Sequence, residues 1–572
     1  MTLEPLTVGV TGHRPARLGD VEDAALAARM RTLFQAIADA AGPGPGLRLV
    51  SNLAEGADSI AATVALDMGW QLDVVLPFER SRNAEDFPDE SARAALETLL
   101  ARATSVFELC SGCSAPEPTG AAYERAGRVM LAQSDLLLAV WDGQPAQGRG
   151  GAGQIVAEAV ASGVPVLHMP LDPTAPPRLL WAAPDSDDIG PHSLDTVPNS
   201  GLDALPRLTA HLTHSEDSPP PASPAKGRLT ASAVYPVFLA AMGVRKLSAA
   251  DFAAASPEAA RAELRASCAA ARAATPFGQQ LSGVLAQSFG AADASATDLS
   301  RRFRSAYIAN YTLAALAVFT ALIGLALPKA AKPALLVTEL IIIAAILIIT
   351  RLGNKSAWHK RWLDCRQVAE QLRVLAISAQ LGDLRLRANG QSAARTVARR
   401  LGLPNAVADP AYLAAIAADL GTLIDAQIAY LEADAHRMHQ LEHRLHRLGG
   451  VLFLATATAC LLYLAATLTL KANPGRFEDL AALVIWGTIL TAGLPAIGSA
   501  IYGIRMQGDF SGVAERAAAR ARDLRRLRQL TRRALPSYDN LARHAMIAAD
   551  VLQGELNDWL RANSARPLAL PG

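Results

Sequence analysis

The chain has 572 residues, of which 51% are hydrophobic, 19% are charged and 5% are aromatic. Soluble globular domains average about 25% charged residues, so this charge deficit argues against a purely soluble or a disordered protein. The formal net charge of +1 lacks the basic field that nucleic-acid-binding proteins usually carry, and we expect no direct binding of nucleic acid. The five cysteines exclude a disulfide scaffold and are typical of an intracellular chain.

Residues 1–172 alternate between strand-like and helical stretches. The predicted strands, which are rich in Val and Leu, are residues 6–12, 47–53, 71–78, 105–110, 135–143 and 165–171. The predicted helices are residues 21–40, 57–68, 90–101, 121–133 and 153–162. This order is typical of a doubly wound, Rossmann-like α/β sheet, in which ligands bind beyond the carboxyl ends of the strands.

Polar and glycine-rich segments follow the predicted strands at that edge of the sheet. The candidate nucleotide-binding residues are Thr11, Gly12, His13 and Arg14 after the first strand, Glu55, Gly56 and Asp58 after the second, Asp142 and Gly143 after the fifth, and Arg149, Gly150, Gly151 and Gly153 where the next helix begins. A glycine-rich turn that opens a helix presents backbone N–H groups to an anion, and Arg14 and Arg149 would add charge-assisted bonds to phosphate. Each segment alone is also compatible with a capping turn or a ligand-free loop, whereas the four together favour a binding site.

The same segments, taken in order, resemble the SLOG superfamily of Rossmann-like domains, which includes phosphoribohydrolases and predicted nucleotide sensors. The resemblance covers about residues 6–171 and implies a nucleotide or nucleotide-derived ligand, with no other cofactor. The hydrolytic members carry glutamates soon after the glycine motif, whereas here residues 154–157 are Gln-Ile-Val-Ala and Glu158 comes later. The resemblance therefore favours binding over hydrolysis. If the domain is an enzyme, Asp142 and Glu158 are the catalytic candidates.

Residues 173–297 separate this domain from the most apolar part of the chain. Residues 173–227 include the run Ser-Pro-Pro-Pro-Ala-Ser-Pro at 218–224, and this composition predicts a Pro-rich linker with loops. Residues 228–297 are rich in alanine and predict a mostly helical region. The sequence assigns no function to either segment.

Four long apolar segments lie in the second half of the chain, at about residues 306–328, 333–353, 448–470 and 480–504. A bilayer core of about 30 Å needs about 20 helical residues, so we predict four transmembrane helices; the alternative is a buried helical hairpin in a soluble core. The short connections between the members of each pair predict two hairpins in an all-α membrane region. Lys and Arg flank the outer ends of both hairpins, which predicts that the N-terminal domain and the C-terminus lie in the cytoplasm.

The tripeptide Val-Ala-Glu recurs after each predicted hairpin, at residues 368–370 and 513–515, and indicates an internal duplication. The repeated unit resembles SLATT domains, the two-helix membrane effectors that accompany nucleotide sensors in bacterial conflict systems. The two units are residues 298–386 and 441–535, with cytoplasmic helices at 387–440 and a C-terminal helix and tail at 536–572. The resemblance implies a bacterial inner-membrane protein that forms pores or disrupts the membrane. Because two hairpins cannot enclose a wide pore, we expect a homo-oligomer.

Two further features carry weaker signals. Glu339 is the only charged residue within the apolar run 333–350; it would face a partner or a water path, or reach the lysines of the adjacent loop. A histidine stripe on one predicted helical face consists of His436, His439, His443 and His446. We favour a solvated or headgroup-facing stripe over paired metal ligands, and we expect no metal.

These observations predict a membrane-embedded bacterial defence effector. Its α/β domain would sense a nucleotide-derived signal, and its helices would respond by oligomeric pore formation or membrane disruption. The alternatives are a membrane-tethered nucleotide-processing hydrolase, similar to the phosphoribohydrolases, and a transporter. The expected partners are the nucleotide-derived signal, the lipid bilayer and further copies of the chain.

Overall fold

The computed structural model describes residues 5–19, 21–44, 46–87, 89–109, 119–183, 192–213, 232–268, 275–385, 393–472, 477–563 and 568. Within these residues, an N-terminal mixed α/β sheet domain is followed by a mostly helical region. This order of the two parts confirms the coarse fold class predicted from the alternation of strands and helices and from the apolar segments.

The α/β domain is built on one sheet, which has nine strands in the described part of the chain. The strands are β1 (Leu6–Gly12), β2 (Leu47–Ser51), β3 (Gln71–Leu76), β4 (Ser105–Glu108), β5 (Leu136–Val140), β6 (Val166–Met169), β7 (Arg178–Leu180), β8 (Asn199–Ser200) and β9 (Ala406–Val407). They lie in the order β8-β7-β6-β5-β1-β2-β3-β4-β9. All neighbours from β6 to β9 pair in parallel, whereas β7 and β8 are antiparallel. Helices cover both faces, which explains why the central strands are apolar on both sides.

The helices of this domain are α1 (Pro15–Leu18), α2 (Asp23–Ala41), α3 (Ala57–Asp67), α4 (Arg80–Ala84), α5 (Glu90–Arg102), α6 (Thr119–Gln133), α7 (Ala152–Ala161) and α8 (Leu205–Thr213). The six predicted strands and the five predicted helices are confirmed, with ends shifted by a few residues. Apolar runs of this length are sufficient to locate buried strands because the helices on both faces exclude water from them.

The segment expected to be linker and loops contributes to the sheet domain. Within residues 173–213, β7 and β8 extend the sheet, and α8 packs against α2 through the buried side chains of Leu205, Leu208 and Leu212. The two strands were missed because two- and three-residue strands show no period. The Pro-rich run at 218–224 lies outside the described residues.

The helical region follows in chain order. Its helices are α9 (Val234–Ala241), α10 (Pro257–Ala266), α11 (Pro276–Gln280), α12 (Ala286–Ile323), α13 (Lys332–Lys355), α14 (Trp358–Ser378), α15 (Ala393–Leu401), α16 (Pro410–Ala472), α17 (Phe477–Gly508), α18 (Phe510–Arg533) and α19 (Tyr538–Asn563). Four of them, α12, α13, α16 and α17, contain stretches long and apolar enough to cross a membrane. Their arrangement as two hairpins and their orientation in the bilayer stay predictions.

The two parts of the chain share one edge of the sheet. Strand β9, which comes from the helical region, pairs with β4, and the Ala408 N–H donates to the Glu108 carbonyl at 2.7 Å. Helix α16 begins directly after this strand and continues for 63 residues without a break. At 1.5 Å per residue, it extends for about 95 Å. A single helix therefore joins the sheet edge to a predicted membrane span.

Further contacts hold the α/β domain against the helices. The buried Asp135 carboxylate lies 2.9 Å from the Arg399 guanidinium and 3.2 Å from that of Arg395. On the other side, Arg125 makes two 2.9 Å hydrogen bonds to the carboxylate of Asp539 in α19. Apolar residues of β4, α6 and α7 belong to the same buried cluster as residues of α16, α18 and α19. The α/β domain is thus packed onto the helices as well as linked to them.

The two predicted membrane units share a backbone feature. Ala357 and Asp509 adopt left-handed φ angles of 47° and 42°, and each lies between an apolar helix and the helix that follows it. The Val-Ala-Glu tripeptides are not equivalent relative to these breaks, since Val368 lies in the middle of α14 and Val513 in the first turn of α18. The internal duplication therefore stays a prediction, with the left-handed break as its better structural marker.

Candidate functional site

The strand order reverses between β1 and β5. Strands β2, β3 and β4 follow one another on one side of β1, whereas β5 and β6 lie on its other side. The carboxyl ends of β1 and β5 pair with each other, with Gly12 opposite Val140. Ligands of open α/β sheets bind in the crevice at such a switch point. The residues that follow Gly12 and Val140 are the sequence candidates His13 and Asp142, which the structure brings together.

His13 and Asp142 form the centre of a small charged group. The buried His13 Nε2 lies 3.0 Å from Asp142 Oδ1, and the Arg17 guanidinium lies 2.6 Å from Asp142 Oδ2. Partial burial raises the pKa of Asp142, but hydrogen bonds from the Gln144 N–H and from His13, with the charge of Arg17, outweigh it and leave the pKa below its usual value. Asp142 therefore holds the imidazole and the guanidinium in place as a carboxylate.

Two glycines allow α3 to approach the end of β1 closely. Gly56 has a φ of 98°, and a Cβ there would lie 2.9 Å from the His13 carbonyl oxygen. A Cβ on Gly12 would overlap the side chains of Ala57 and Val140. The Ala57 N–H donates to the His13 carbonyl at 3.3 Å. The first turn of α3, with its partial positive charge, consequently lies beside the β1–β5 crevice.

Asp58 is the buried acid of this site. Asp58, in the first turn of α3, is 5% exposed. Thr11, near the end of β1, is buried as well. Burial raises the pKa of the Asp58 carboxyl to about 7, although backbone N–H groups of Ala54 and Gly12 and the charge of Arg14 act in the opposite direction. Near neutral pH the carboxyl is therefore partly protonated, which reduces its repulsion of an anionic ligand. Glu55 lies half-buried in the same connection.

Asp58→Asn is expected to change how stability depends on pH. Because the folded-state pKa lies above the ordinary value, the wild type loses stability as pH rises from about 4 to about 7. At about 1.4 kcal/mol per pKa unit, this loss amounts to a few kcal/mol. In Asp58→Asn the part of the free energy of unfolding that changes with pH because of Asp58 should be absent. Thermal unfolding of the full chain in detergent across this pH range measures it. The smaller component of Asp73, whose pKa burial raises to about 6, should persist; an unchanged profile in the variant would contradict the assignment.

A row of cationic and aromatic side chains extends from this crevice along the sheet edge. The Arg14 guanidinium lies 4.9 Å from the centre of the Tyr123 ring and 3.3 Å from the Asp86 carboxylate. The Tyr123 ring contacts Phe78 edge-on at 5.7 Å, and the Arg82 guanidinium lies 3.8 Å above Phe78. Phe78 is buried, so exposed Arg14 and half-buried Tyr123 are the groups suited to a ligand with both a phosphate and a flat ring.

Several of these side chains were missed in the sequence. Arg17 lies in the short helix α1, which begins two residues after His13, and a helical interpretation of the segment after β1 would have indicated it. Tyr123 lies in α6 and Asp86 after α4, and neither has a local signal, because their positions near Arg14 depend on how those helices pack.

The glycine-rich segment before α7 is folded onto its own neighbours. The Gly150 N–H donates to Gln154 Oε1 at 2.9 Å, and the Gly151 N–H donates to the Gly148 carbonyl at 3.3 Å. Gly150 has a φ of 78°, and a Cβ there would lie 2.6 Å from the Glu124 backbone nitrogen. Its conformation and its close approach to α6 therefore both require glycine.

Two further glycines near this segment, Gly153 and Gly143, also occupy positions that favour glycine. A Cβ on Gly153 would lie 2.8 Å from the Gln144 carbonyl oxygen, and Gly143 has a φ of 78°. The Arg149 guanidinium, whose side chain is 66% exposed, lies 2.6 Å from the Glu124 carboxylate. An anion at this loop would thus compete with Glu124 for Arg149.

The two catalytic candidates have separate partners. Glu158 makes two hydrogen bonds with Arg128, at 2.8 and 2.9 Å, and accepts one from Gln154 at 3.0 Å. Burial raises the pKa of Glu158, but the Arg128 and Gln154 hydrogen bonds outweigh it and leave the pKa below its usual value. Asp142 bonds to His13 and Arg17 instead. The structure brings Asp142 to the crevice and leaves Glu158 on the outer face of α6 and α7.

The remaining sequence candidates lie in the helical region. Glu339 is in the second turn of α13 and forms no ion pair with a described residue. In the histidine stripe on α16, His436 lies 2.8 Å from Gln440 and His443 lies 2.9 Å from Arg447. No group of three or more His, Cys, Asp or Glu residues suited to a metal ion occurs in the described ranges.

Comparison with known proteins adds no relative. No protein-family model and no curated protein matches the chain. The resemblances to SLOG and SLATT domains consequently rest on the motifs themselves, and the function is inferred from the geometry of the site and its connection to the helices.

Proposed function

We propose that this protein is a membrane-embedded effector of bacterial defence, gated by a nucleotide-derived signal. The observation that carries the proposal is the continuous path from the sheet to the apolar helices. β9 completes the sheet edge, and the helix that follows it, α16, runs without a break into a predicted membrane span. A sheet domain that served only as a tethered enzyme would need no such rigid connection.

The chemistry of the crevice supports an anionic, ring-containing ligand. Arg14 and Arg17 supply two guanidinium groups, the first turn of α3 adds a partial positive charge, and Tyr123 supplies a ring surface. The phosphate of a nucleotide would compete with Asp86 for Arg14 and with Asp142 for Arg17. The base would stack beside Tyr123. The resemblance to SLOG domains favours the same ligand class.

Ligand binding would then shift the equilibrium between two conformations of the protein. A ligand shifts a conformational equilibrium only if it binds one state more tightly, and the carboxylates released from Arg14 and Arg17 provide such a difference. The accompanying displacement of the backbone would pass from β1 through the paired strands β2, β3 and β4 to β9, and from β9 to α16. In a homo-oligomer in the bacterial inner membrane, movement of α16 would open a pore or disrupt the bilayer.

The direct test is dye release from liposomes that contain the full chain. A panel of linear and cyclic purine nucleotides should include one that causes leakage and binds the protein in the same concentration range. Binding without leakage for every member would overturn the proposal. Conversion of a nucleotide by the same preparation, lost in Asp142→Ala, would instead favour the hydrolase.

Arg14→Ala is expected to weaken nucleotide binding about tenfold without affecting membrane insertion, because it removes an exposed, charge-assisted contact to phosphate. The matched control is Arg31→Ala. Arg31 is also exposed and pairs with a carboxylate, Asp67 at 3.5 Å, but it lies on α2. Isothermal titration with the leakage-active nucleotide measures both affinities. Equal affinities in the two variants would place the ligand elsewhere.

The glycine loop gives an independent test. Gly151→Asp introduces a carboxylate at the start of α7, where it would repel phosphate. The added Cβ would lie 3.3 Å from both the Ala146 Cβ and the Gly148 carbonyl oxygen, so the loop must shift slightly, and the thermal unfolding of the variant must match the wild type. Weaker binding in Gly151→Asp alone would assign the phosphate to this loop, and weaker binding in Arg14→Ala alone would assign it to the β1–β5 crevice.

A further inference from the structure

A cavity lies among the helices at one end of the apolar segments, far along the chain from the nucleotide crevice. Its volume is about 60 Å³, and it is a partly open cavity lined by α12, α14 and the junction between α17 and α18. A water molecule needs about 10–15 Å³ by this measure, so several waters or one tetrahedral oxyanion would fit. Its principal lining residues are Phe303, Arg304, Tyr307, His359, Trp362 and Asp509.

One side of the cavity is aromatic. The rings of Phe303 and His359 stack with their centres 4.5 Å apart and their planes at 21°. Trp362 lies 6.2 Å from Phe303, and Tyr307 contacts Phe303 edge-on at 5.8 Å. This packing fixes the shape of the wall and holds the cavity open next to the polar groups.

The other lining groups give the cavity a positive character. Arg304 donates a 3.0 Å hydrogen bond to the Tyr235 hydroxyl and lies 5.4 Å from the centre of the Trp362 ring. No carboxylate lies within ion-pair distance of Arg304 in the described part of the chain, although the charge of Asp434 acts on it from further away. Arg516 also lines the cavity and lies 2.9 Å from Asp509, whose charge it balances. The net charge of these groups is therefore positive, from Arg304.

Helix ends reinforce this positive charge. His359 and Trp362 belong to the first turns of α14, and Asp509 and Val513 mark the start of α18. Both helices exceed twenty residues, and their N-terminal backbone N–H groups carry partial positive charge. Two helix N-termini and Arg304, which has no carboxylate within ion-pair distance among the described residues, line the same small space.

The cavity also lies where the predicted membrane spans begin and end. Phe303 and Tyr307 flank the start of the first predicted span, His359 follows the second, and Asp509 follows the fourth. Aromatic and basic side chains concentrate where membrane helices leave the hydrocarbon, and basic pockets between such helices bind anionic headgroups. We infer that this cavity binds a phosphate group, and its position favours the phosphodiester of an anionic lipid as the source.

The test uses the full chain, purified in mild detergent with equal amounts of phosphatidylglycerol and phosphatidylcholine. Native mass spectrometry should find phosphatidylglycerol retained by the wild type and retention reduced about tenfold in Arg304→Gln. The matched control, Arg302→Gln, removes the same charge from the same helix outside the cavity lining and should retain the lipid. Equal retention of the two lipids by the wild type, or full retention by Arg304→Gln, would overturn the inference.

Two further experiments identify the source of the phosphate and keep the test valid if Arg304→Gln does not fold. Inorganic phosphate at millimolar concentration should leave the lipid bound; displacement would assign the site to free phosphate. If Arg304→Gln does not fold, Arg304→Lys, which keeps the charge but not the guanidinium geometry, should retain less lipid than the wild type. Undiminished retention in Arg304→Lys and in Arg516→Gln together would then refute the site. None of these readouts involves the nucleotide, so their failure leaves the proposed gating unaffected.

Discussion

Ala433→Pro is expected to abolish nucleotide-evoked leakage while leaving nucleotide binding unchanged. Ala433 is an exposed residue of α16, between the sheet edge and the predicted span. Proline in a helix interior removes a backbone hydrogen bond, clashes with the preceding turn and costs about 3 kcal/mol. The resulting kink would prevent α16 from transmitting a displacement of β9 to the membrane. Dye release should fall more than tenfold at a nucleotide concentration that saturates the wild type.

The control for this prediction is Ala433→Ser at the same exposed position. Serine keeps the helical hydrogen bond and costs only a few tenths of a kcal/mol, so leakage and binding should both match the wild type. Circular dichroism in detergent would verify that the proline variant keeps its other helices. Undiminished leakage in Ala433→Pro would exclude α16 as the transmitting element.

Asp135→Ala should produce the largest loss of stability among the substitutions considered. Asp135 is buried and accepts hydrogen bonds from the Thr7 N–H at 3.1 Å and from Arg399 at 2.9 Å. The alanine would leave the nearly buried Arg399 guanidinium without its carboxylate, and breaking such a buried pair from one side costs about 3–5 kcal/mol. Because this pair joins the α/β domain to α15, the two parts should also separate more readily.

Thermal unfolding of the full chain and trypsin sensitivity measure these two effects. Asp67→Ala is the matched control, since Asp67 is about half exposed and pairs with Arg31 at 3.5 Å. Exposed pairs of this kind contribute at most about 1 kcal/mol, so its melting temperature should change little. Similar shifts in Asp67→Ala and Asp135→Ala would mean that the buried pair does not hold the two parts together.

The convergence of His13 and Asp142 could be predicted from the sequence. Each follows a Val- and Leu-rich run, and the carboxyl ends of parallel strands meet at one edge of the sheet. The partners of Arg14 and Arg149 could not be predicted in the same way. Tyr123 reaches Arg14 only because α6 packs across the sheet, and Glu124 engages Arg149 only because the glycine loop folds back onto α6.

The sequence by itself determined the apolar helices and the central strands. Both depend on short-range patterns, since a run of about 20 apolar residues is stable as a helix in lipid and a short Val- and Leu-rich run is stable between two layers of helices. Only the tertiary structure revealed that residues 406–407 form the edge strand beside β4 and that Asp135 pairs with Arg399, 264 residues away. A two-residue strand has no period, and a distant ion pair leaves no local pattern. Such contacts form only after the intervening chain has packed and its loop-closure entropy has been offset by the common core.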